Sequence, residues 1–178
     1  MPGDHPPQKN TPITRLAGFQ KPNEVLTPNH FFDVCLPHAS IQVIRVVSYL
    51  IHETLGYTND NGDPFRQRFR ASYKQIADEA GLPPSAVKKA LDQAVESRFL
   101  NRLRSAVPSS KGRAAQSGEY ELRWHDYKDG QYIVDPRKFK GFFAAEGNRT
   151  SIPEEFFSHF VRHNVKSVVR FVGAVIRN

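Results

Sequence analysis

The amino-acid sequence predicts a mainly α fold that carries one small β-hairpin, an α+β chain of 178 residues. Two observations lead to this prediction. Apolar residues recur at helical spacing on both sides of a Gly-Leu-Pro-Pro turn at residues 81–84, and a stretch that alternates like a β-strand follows directly. In addition, a helical stretch near the end of the sequence repeats one near its beginning.

The first predicted helix lies just before the turn. Ser72 is a suitable N-cap, and the apolar stripe that follows consists of Tyr73, Ile76, Ala77 and Ala80. Gly81 supplies a helix stop, and Leu82 is the expected buried residue of the turn. A short, stiff turn therefore joins this helix to the next.

The second predicted helix spans residues 84–98 and begins at the Pro83-Pro84 pair, which suits a cap and a first helical turn. Its apolar stripe consists of Val87, Ala90, Leu91, Ala94 and Val95. The outward side is polar and basic, and it consists of Ser85, Lys88, Lys89, Asp92 and Gln93. Alone, this pattern also fits an ordinary helical hairpin with solvated lysines.

A predicted β-hairpin follows the second helix. Its strands are Leu100 to Val107 and Glu119 to Tyr127, and the small-residue loop 108–118 (PSSKGRAAQSG) lies between them. A helix-turn-helix followed by a basic hairpin is the pattern of a winged helix-turn-helix, in which the second helix enters the major groove of double-stranded DNA.

Eight residues are the predicted DNA contacts. Base edges in the major groove are assigned to side chains of the second helix, namely Ser85, Lys88, Lys89 and Gln93. Phosphates are assigned to cations on or beside the wing, namely Arg102, Arg104, Lys111 and Arg113.

The charge distribution agrees with this prediction. Residues 66–123 contain twelve Lys or Arg and six Asp or Glu, so that +6 of the formal net charge of +7 falls in this segment. A basic excess concentrated on one part of a chain with a sequence pI near 9.7 is typical of a nucleic-acid binder. Acidic protein partners are the alternative.

An internal repeat relates residues 28–53 to residues 153–178 at a constant offset of 125, and eight of the 26 pairs are identical. Each copy predicts a short amphipathic helix, a turn and a longer helix, which runs from His38 to Thr54 in the first copy. We interpret the second copy as the opening helices of a second winged-helix-like unit, and we expect a longer protein with tandem winged helices. Two unrelated amphipathic helices are the alternative.

The sequence divides into four predicted segments. Residues 1–23 are proline-rich and polar, which predicts a flexible N-terminal arm. Residues 24–127 form the predicted DNA-binding domain, residues 128–149 a linker, and residues 150–178 the opening helices of the second unit.

The stretch TPNHFFDVCLPHASIQVIRVVSYLIHETLGY, with its Phe31-Phe32 pair, its Leu36-Pro37-His38 turn and its Thr54-Leu55-Gly56-Tyr57 end, resembles the opening helices of phage and plasmid replication-initiator or primosomal proteins. In that family a winged helix-turn-helix follows, as it does here from Ser72. The resemblance implies binding to double-stranded DNA in replication, with replication or other DNA-processing proteins as further partners. The arginine-rich end of residues 58–70 departs from the family pattern, and its arginines either bind DNA or brace the domain.

Two other functions use the same predicted surface: transcriptional regulation, and protein binding within a DNA-processing complex. Enzymatic activity and cofactors are not predicted, because no phosphate-binding glycine motif and no nucleophile-base constellation occurs. A metal site is not predicted either, because His159 and His163 lack a third ligand and Cys35 lies on an apolar helix side.

The predicted location is cytoplasmic and associated with the nucleoid. No apolar run approaches the length of a membrane span, and the N-terminus has no apolar segment typical of a signal peptide. The sequence leaves a homodimer open.

Overall fold

The computed structural model describes residues 24–56, 67–127, 130–144 and 147–177. The predicted flexible arm, residues 1–23, lies outside the described residues, and so do residues 58–66 of the arginine-rich segment. The described part is a mixed α/β fold in which helices are joined by three small sheets. The prediction of a mainly α chain with a single hairpin therefore understated the strands.

Two of the six described α-helices form the helix-turn-helix, and the others belong to the two copies of the repeat. The helices are α1 (Leu36–His38), α2 (Ile41–Leu55), α3 (Tyr73–Ala80), α4 (Pro84–Glu96), α5 (Val161–His163) and α6 (Lys166–Arg177). A π-helical turn precedes α1 at Phe31–Cys35, and another precedes α5 at Phe156–Phe160. The long helix predicted from His38 begins at Ile41, because the Ser40 hydroxyl caps it by accepting from the Val43 amide at 3.3 Å.

Seven short strands are described: β1 (Glu24–Pro28), β2 (Arg68–Ala71), β3 (Leu100–Arg104), β4 (Gly118–Leu122), β5 (Trp124–His125), β6 (Phe142–Phe143) and β7 (Arg149–Pro153). The predicted hairpin corresponds to β3 and β4. The unpredicted strand β2 pairs antiparallel with β4 and makes a three-stranded sheet of order β2-β4-β3. The other two sheets are the antiparallel pair β1-β7 and the parallel pair β5-β6.

Helix α3 begins and ends as the sequence predicts. The Ser72 hydroxyl accepts from the Gln75 amide at 3.1 Å, Gly81 adopts a left-handed φ of 66°, and Leu82 is buried. The Leu82 amide donates to the Ala77 carbonyl at 2.9 Å, which is the longer hydrogen bond of a Schellman motif. This closure fixes the direction in which the chain leaves α3.

The end of α4 repeats this motif with an arginine in the glycine position. Arg98 has a φ of 63°, and its amide donates to the Val95 carbonyl while the Phe99 amide donates to the Ala94 carbonyl, both at 3.0 Å. Phe99 is buried in the core. The Arg98 guanidinium also donates to the Phe139 carbonyl at 2.9 Å, which ties residues 130–144 to the end of α4.

The two copies of the repeat have the same order of elements and pair with each other symmetrically. Strand β1 lies antiparallel to β7, and Leu26 is opposite Ser151, its own equivalent at the offset of 125. The phenylalanine pairs that open the π-helical turns also cross over: Phe31 contacts Phe157 at 5.7 Å between ring centroids, and Phe32 contacts Phe156 at 6.4 Å. The two copies are therefore related by a local two-fold axis.

The long helix of each copy packs on the short helices of the other. Helix α2 contacts α5 and the π-helical turn before it, and α6 contacts α1 and the π-helical turn before it. Helices α3 and α4 and the three-stranded sheet pack on α2. One buried apolar cluster runs through these layers, and it includes Val25 of β1 and Ile152 of β7.

Candidate nucleic-acid interface

Helix α4 presents a polar face to solvent because its apolar stripe is turned inward. Val87, Ala90, Leu91 and Ala94 are buried, whereas Ser85, Lys88 and Lys89 are exposed and Gln93 is half-buried. Residues three or four apart on a helix share a face, so these four polar side chains form one surface along α4. It is the surface that the sequence predicts for base contacts.

Asp92 connects this surface to the hairpin. Its Oδ2 accepts from Lys88 Nζ at 2.8 Å, and its Oδ1 lies 2.7 Å from Arg102 Nη2 on β3. The hydrogen bonds from Lys88 and Arg102 lower the pKa of the Asp92 carboxyl, and Asp92 in turn raises the pKa of Lys88. The carboxylate therefore partly neutralises two of the six cations among the predicted DNA contacts and holds α4 against β3.

Arg102 and Arg104 lie on opposite faces of the three-stranded sheet. Regular alternation predicts that they share a face, but a β-bulge at Leu103 shifts the register. Arg102 lies opposite the buried Tyr120, and its side chain is only 20% exposed. Arg104 lies opposite Glu119 and is exposed.

The outer face of the sheet carries two more arginines, on the strand that the sequence did not predict. Arg68 Nε lies 3.6 Å from Glu121, and Arg70 Nε lies 3.6 Å from Glu119. Both arginine side chains are more than 60% exposed, at 63% and 67%. These arginines brace β2 against β4 and keep most of each guanidinium in solvent, where such pairs are weak.

The hairpin ends in a tight turn at its tip. Ser110 and Arg113 exchange backbone hydrogen bonds of 3.1 and 2.8 Å around Lys111 and Gly112, and Gly112 adopts a φ of 81°. The whole stretch from residue 108 to residue 116 is exposed. Lys111 and Arg113 are therefore presented to solvent on an ordered turn.

The structure brings some of the eight predicted residues together and leaves others apart. Lys88 and Arg102 meet through Asp92; Ser85, Lys89 and Gln93 share the face of α4; and the hairpin carries Arg104, Lys111 and Arg113. Sequence reasoning placed Asp92 on the outside but gave it no role. The spacing of four residues between Lys88 and Asp92 was the available signal for that ion pair.

Across residues 24–56, 67–127, 130–144 and 147–177, no group of three His, Cys, Asp or Glu side chains is arranged to hold a metal ion. No described helix combines the length and apolar character needed to cross a membrane. Comparison of the chain with known protein families, with curated proteins and with solved structures found no match.

Proposed function

We propose that this chain is a winged helix-turn-helix protein that binds double-stranded DNA sequence-specifically in the initiation of phage or plasmid replication. One observation carries the proposal. Exposed Ser85, Lys88 and Lys89 line the free face of α4, and the hairpin beside that helix ends in exposed Lys111 and Arg113. In a winged helix-turn-helix bound to DNA, the exposed face of the second helix contacts base edges and the basic hairpin contacts the flanking phosphates.

In this arrangement α4 lies in the major groove and residues 108–118 form the wing on the backbone. Ser85, Lys89 and Gln93 are the side chains proposed to contact bases, because Ser85 and Lys89 are exposed and Gln93 is half-buried on this face of α4. Arg104, Lys111 and Arg113 hold phosphates. Arg102 is assigned a positioning role instead, because its guanidinium faces Asp92.

The Asp92 carboxylate sets how strongly the free protein attracts any duplex. It neutralises Lys88, so that the cation is not fully available to phosphates. Asp92→Asn is therefore expected to raise affinity for random duplex and to steepen the log-log salt dependence by about 1. Gln93→Ala is the matched control, since it removes a neutral side chain from the same face and leaves the slope unchanged.

The replication role rests on the resemblance to initiator proteins, which covers about residues 26–123 and begins with the stretch 27–57 that is similar to their opening helices. Transcriptional regulation through the same surface is the alternative. The two roles differ in their sites: initiators bind iterated arrays at an origin, and regulators bind single promoter operators. The replication and DNA-processing proteins implied by the resemblance remain proposed partners.

The test is selection of bound fragments from a random duplex pool, followed by a footprint. On the selected site, Lys89→Ala is expected to lower affinity roughly 5- to 150-fold, and to lower it much less on random duplex. Arg137→Ala, which removes an exposed cation from a turn outside the proposed surface, is the control. A pool from which no duplex is retained would reject the proposal and favour the protein-binding alternative.

A further inference from the structure

Helix α6 carries an apolar outer face that its equivalent in the first copy does not expose. Val168, Phe171 and Val175 are 39%, 71% and 61% exposed. At the offset of 125 they correspond to Val43, Val46 and Leu50 of α2, which are 3%, 0% and 0% exposed. The same three positions are therefore solvent-facing in one copy and buried in the other.

The inner faces of the two helices are alike. Ile44 of α2 and its equivalent Val169 of α6 are both 0% exposed. Ser48 and its equivalent Gly173 are also both buried, and Gly173 is so close to Leu36 that an added Cβ would lie 2.4 Å from the Leu36 side chain. The largest differences in exposure between the copies are thus on the outer face.

The outer face of α2 is covered by α3, α4 and the three-stranded sheet, which contact α2 in addition to the elements of the second copy. Among the described residues, α6 has contacts of comparable extent only with α1 and the π-helical turn before it. In the part of the chain that the structure describes, α6 therefore has no equivalent of the helix-turn-helix and sheet that cover α2.

A groove beside α6 lies at the position that the turn of the helix-turn-helix occupies beside α2. It has a volume of about 390 Å³, and its lining includes Pro37, Arg170 and Ala174. The equivalent residues in the other copy are Arg162, Arg45 and Tyr49. There the turn of the helix-turn-helix occupies the space: Arg45 Nη1 donates to the Gly81 carbonyl at 2.8 Å, and a Cβ on Gly81 would lie 2.7 Å from Arg162 Cγ.

A much smaller cavity lies at the equivalent place in that copy. It has a volume of about 50 Å³ and is lined by Tyr49, His52, Phe157 and Ser158, together with Glu53 and Glu79 of α3. The first four correspond to Ala174, Arg177, Phe32 and Asp33, which all line the larger groove. The two cavities thus lie at equivalent positions in the two copies. In the first copy α3 and the turn after it fill most of the space, and beside α6 the space is open.

We propose that the outer face of α6 and this groove form a docking surface for a second helix-turn-helix, joined to α6 as α3 and α4 are joined to α2. Its apolar stripe covers Phe171 and Val175, and its turn offers a backbone carbonyl to Arg170. The proposal does not depend on DNA binding, since it rests on the two-fold relation between the copies.

The test extends the chain after Asn178 with a second copy of residues 54–127, because Glu53 is the residue equivalent to Asn178. Phe171→Cys and Val175→Cys report the exposure of the face to a thiol reagent, and the single native cysteine, Cys35, is buried. Labelling at both positions is expected to slow at least tenfold in the extended chain. Ser109→Cys on the exposed hairpin is the control and labels equally fast in both chains.

A second variant guards against a poor fit between the added unit and α6. Phe171→Val together with Val175→Leu gives α6 the residues of α2 at these two outer positions, and Val168→Cys at the third serves as the probe. If the probes label at the same rate with and without the extension in both backgrounds, whether or not the added unit is folded, the proposal is wrong. It is also wrong if the 178-residue chain protects these positions in step with its own dimerisation in sedimentation, because the occupant is then a second copy.

Discussion

Arg45 Nη1 donates a hydrogen bond of 2.8 Å to the carbonyl oxygen of Gly81, and so joins the long helix of the first copy to the turn of the helix-turn-helix. The same guanidinium donates to the carbonyls of Val161 and Asn164, at 3.3 and 3.2 Å. One side chain therefore connects the proposed DNA-reading unit, its supporting helix and the second copy of the repeat.

Arg45→Ala is expected to lower the free energy of unfolding by about 3 kcal/mol, because it leaves three carbonyls on two segments without their charged donor. Arg45→Lys retains the charge but cannot reach three carbonyls with one ammonium group, so an intermediate loss is expected. Urea unfolding measures both values. If Arg45→Lys were as stable as the unchanged protein, the ability of the guanidinium to donate to three carbonyls at once would not contribute to stability.

Gly81→Ala tests the turn itself. A non-glycine residue at a φ of 66° costs about 1–2 kcal/mol, and the new methyl group would also lie 2.8 Å from the Arg162 carbonyl oxygen. We expect a loss of stability of at least about 2 kcal/mol. Gly112→Ala is the matched control, because Gly112 has a φ of 81° but no atom within 4 Å of an added Cβ. Equal losses for the two variants would show that Gly81 contributes conformation and not contact.

His52 is expected to make stability depend on pH. Hydrogen bonds to Glu53 at 3.1 Å and Glu154 at 2.8 Å raise the pKa of His52 above its ordinary value of 6.5. The charged imidazole is favoured in the folded state, so its contribution is fully present below pH 6.5 and is lost as the pH rises through the raised pKa.

The measurement is the free energy of unfolding of His52→Gln and of the unchanged protein between pH 5.5 and pH 9. The difference between the two proteins should shrink as the pH rises. The comparison with a variant matters because buried His30 has a lowered pKa, through desolvation, and shifts stability in the opposite direction. A difference that stays constant with pH would exclude the His52 contribution.

The hairpin tip is expected to bind phosphates without reading sequence. Changing Lys111 and Arg113 together to Ala should weaken binding to selected and random duplexes alike and reduce the log-log salt slope by about 2. Titrations at several salt concentrations give the slope. An unchanged slope would remove the hairpin tip from the interface and leave α4 as the sole contact.

Removal of residues 150–178 is expected to unfold the remainder of the chain. The deletion strips β1 of its partner strand and exposes Val25 and Phe31, which are both fully buried. Circular dichroism and urea unfolding of the shortened chain test this expectation. Ile152→Ala is the milder form of the experiment, with an expected loss of about 2–5 kcal/mol, whereas Val165→Ala at an exposed position should change little. A shortened chain that unfolds cooperatively would show that the first copy folds without the second.

The helix-turn-helix could be predicted because its signals are local. A hydroxyl that caps α3, a glycine that ends it and a leucine that follows the glycine each act on residues within five positions. The polar face of α4 follows from the same 3.6-residue period. For these features the sequence and the structure agree in detail.

The strands could not be predicted in the same way. Residues 24–28 form a strand only by pairing with residues 149–153, which lie more than 120 positions away in the sequence. Neither segment has an alternating pattern long enough to predict a strand by itself. The bulge at Leu103 is also decided by pairing with β4, so the sequence could not show that Arg102 and Arg104 lie on opposite faces of the sheet. The contact between Asp92 and Arg102 depends on the same pairing and could not be predicted either.

The pairing of β1 with β7 can form only after most of the chain has been synthesised. A ribosome that adds roughly 5–20 residues per second needs about 6–25 s to proceed from β1 to β7. Throughout that interval β1 of the nascent protein has no partner strand, and α2, on which the helix-turn-helix packs, lacks its contacts with the second copy. Helices α3 and α4 are therefore synthesised well before β1 gains its partner strand, and the elements that support them are complete only when α5 and α6 have left the ribosome.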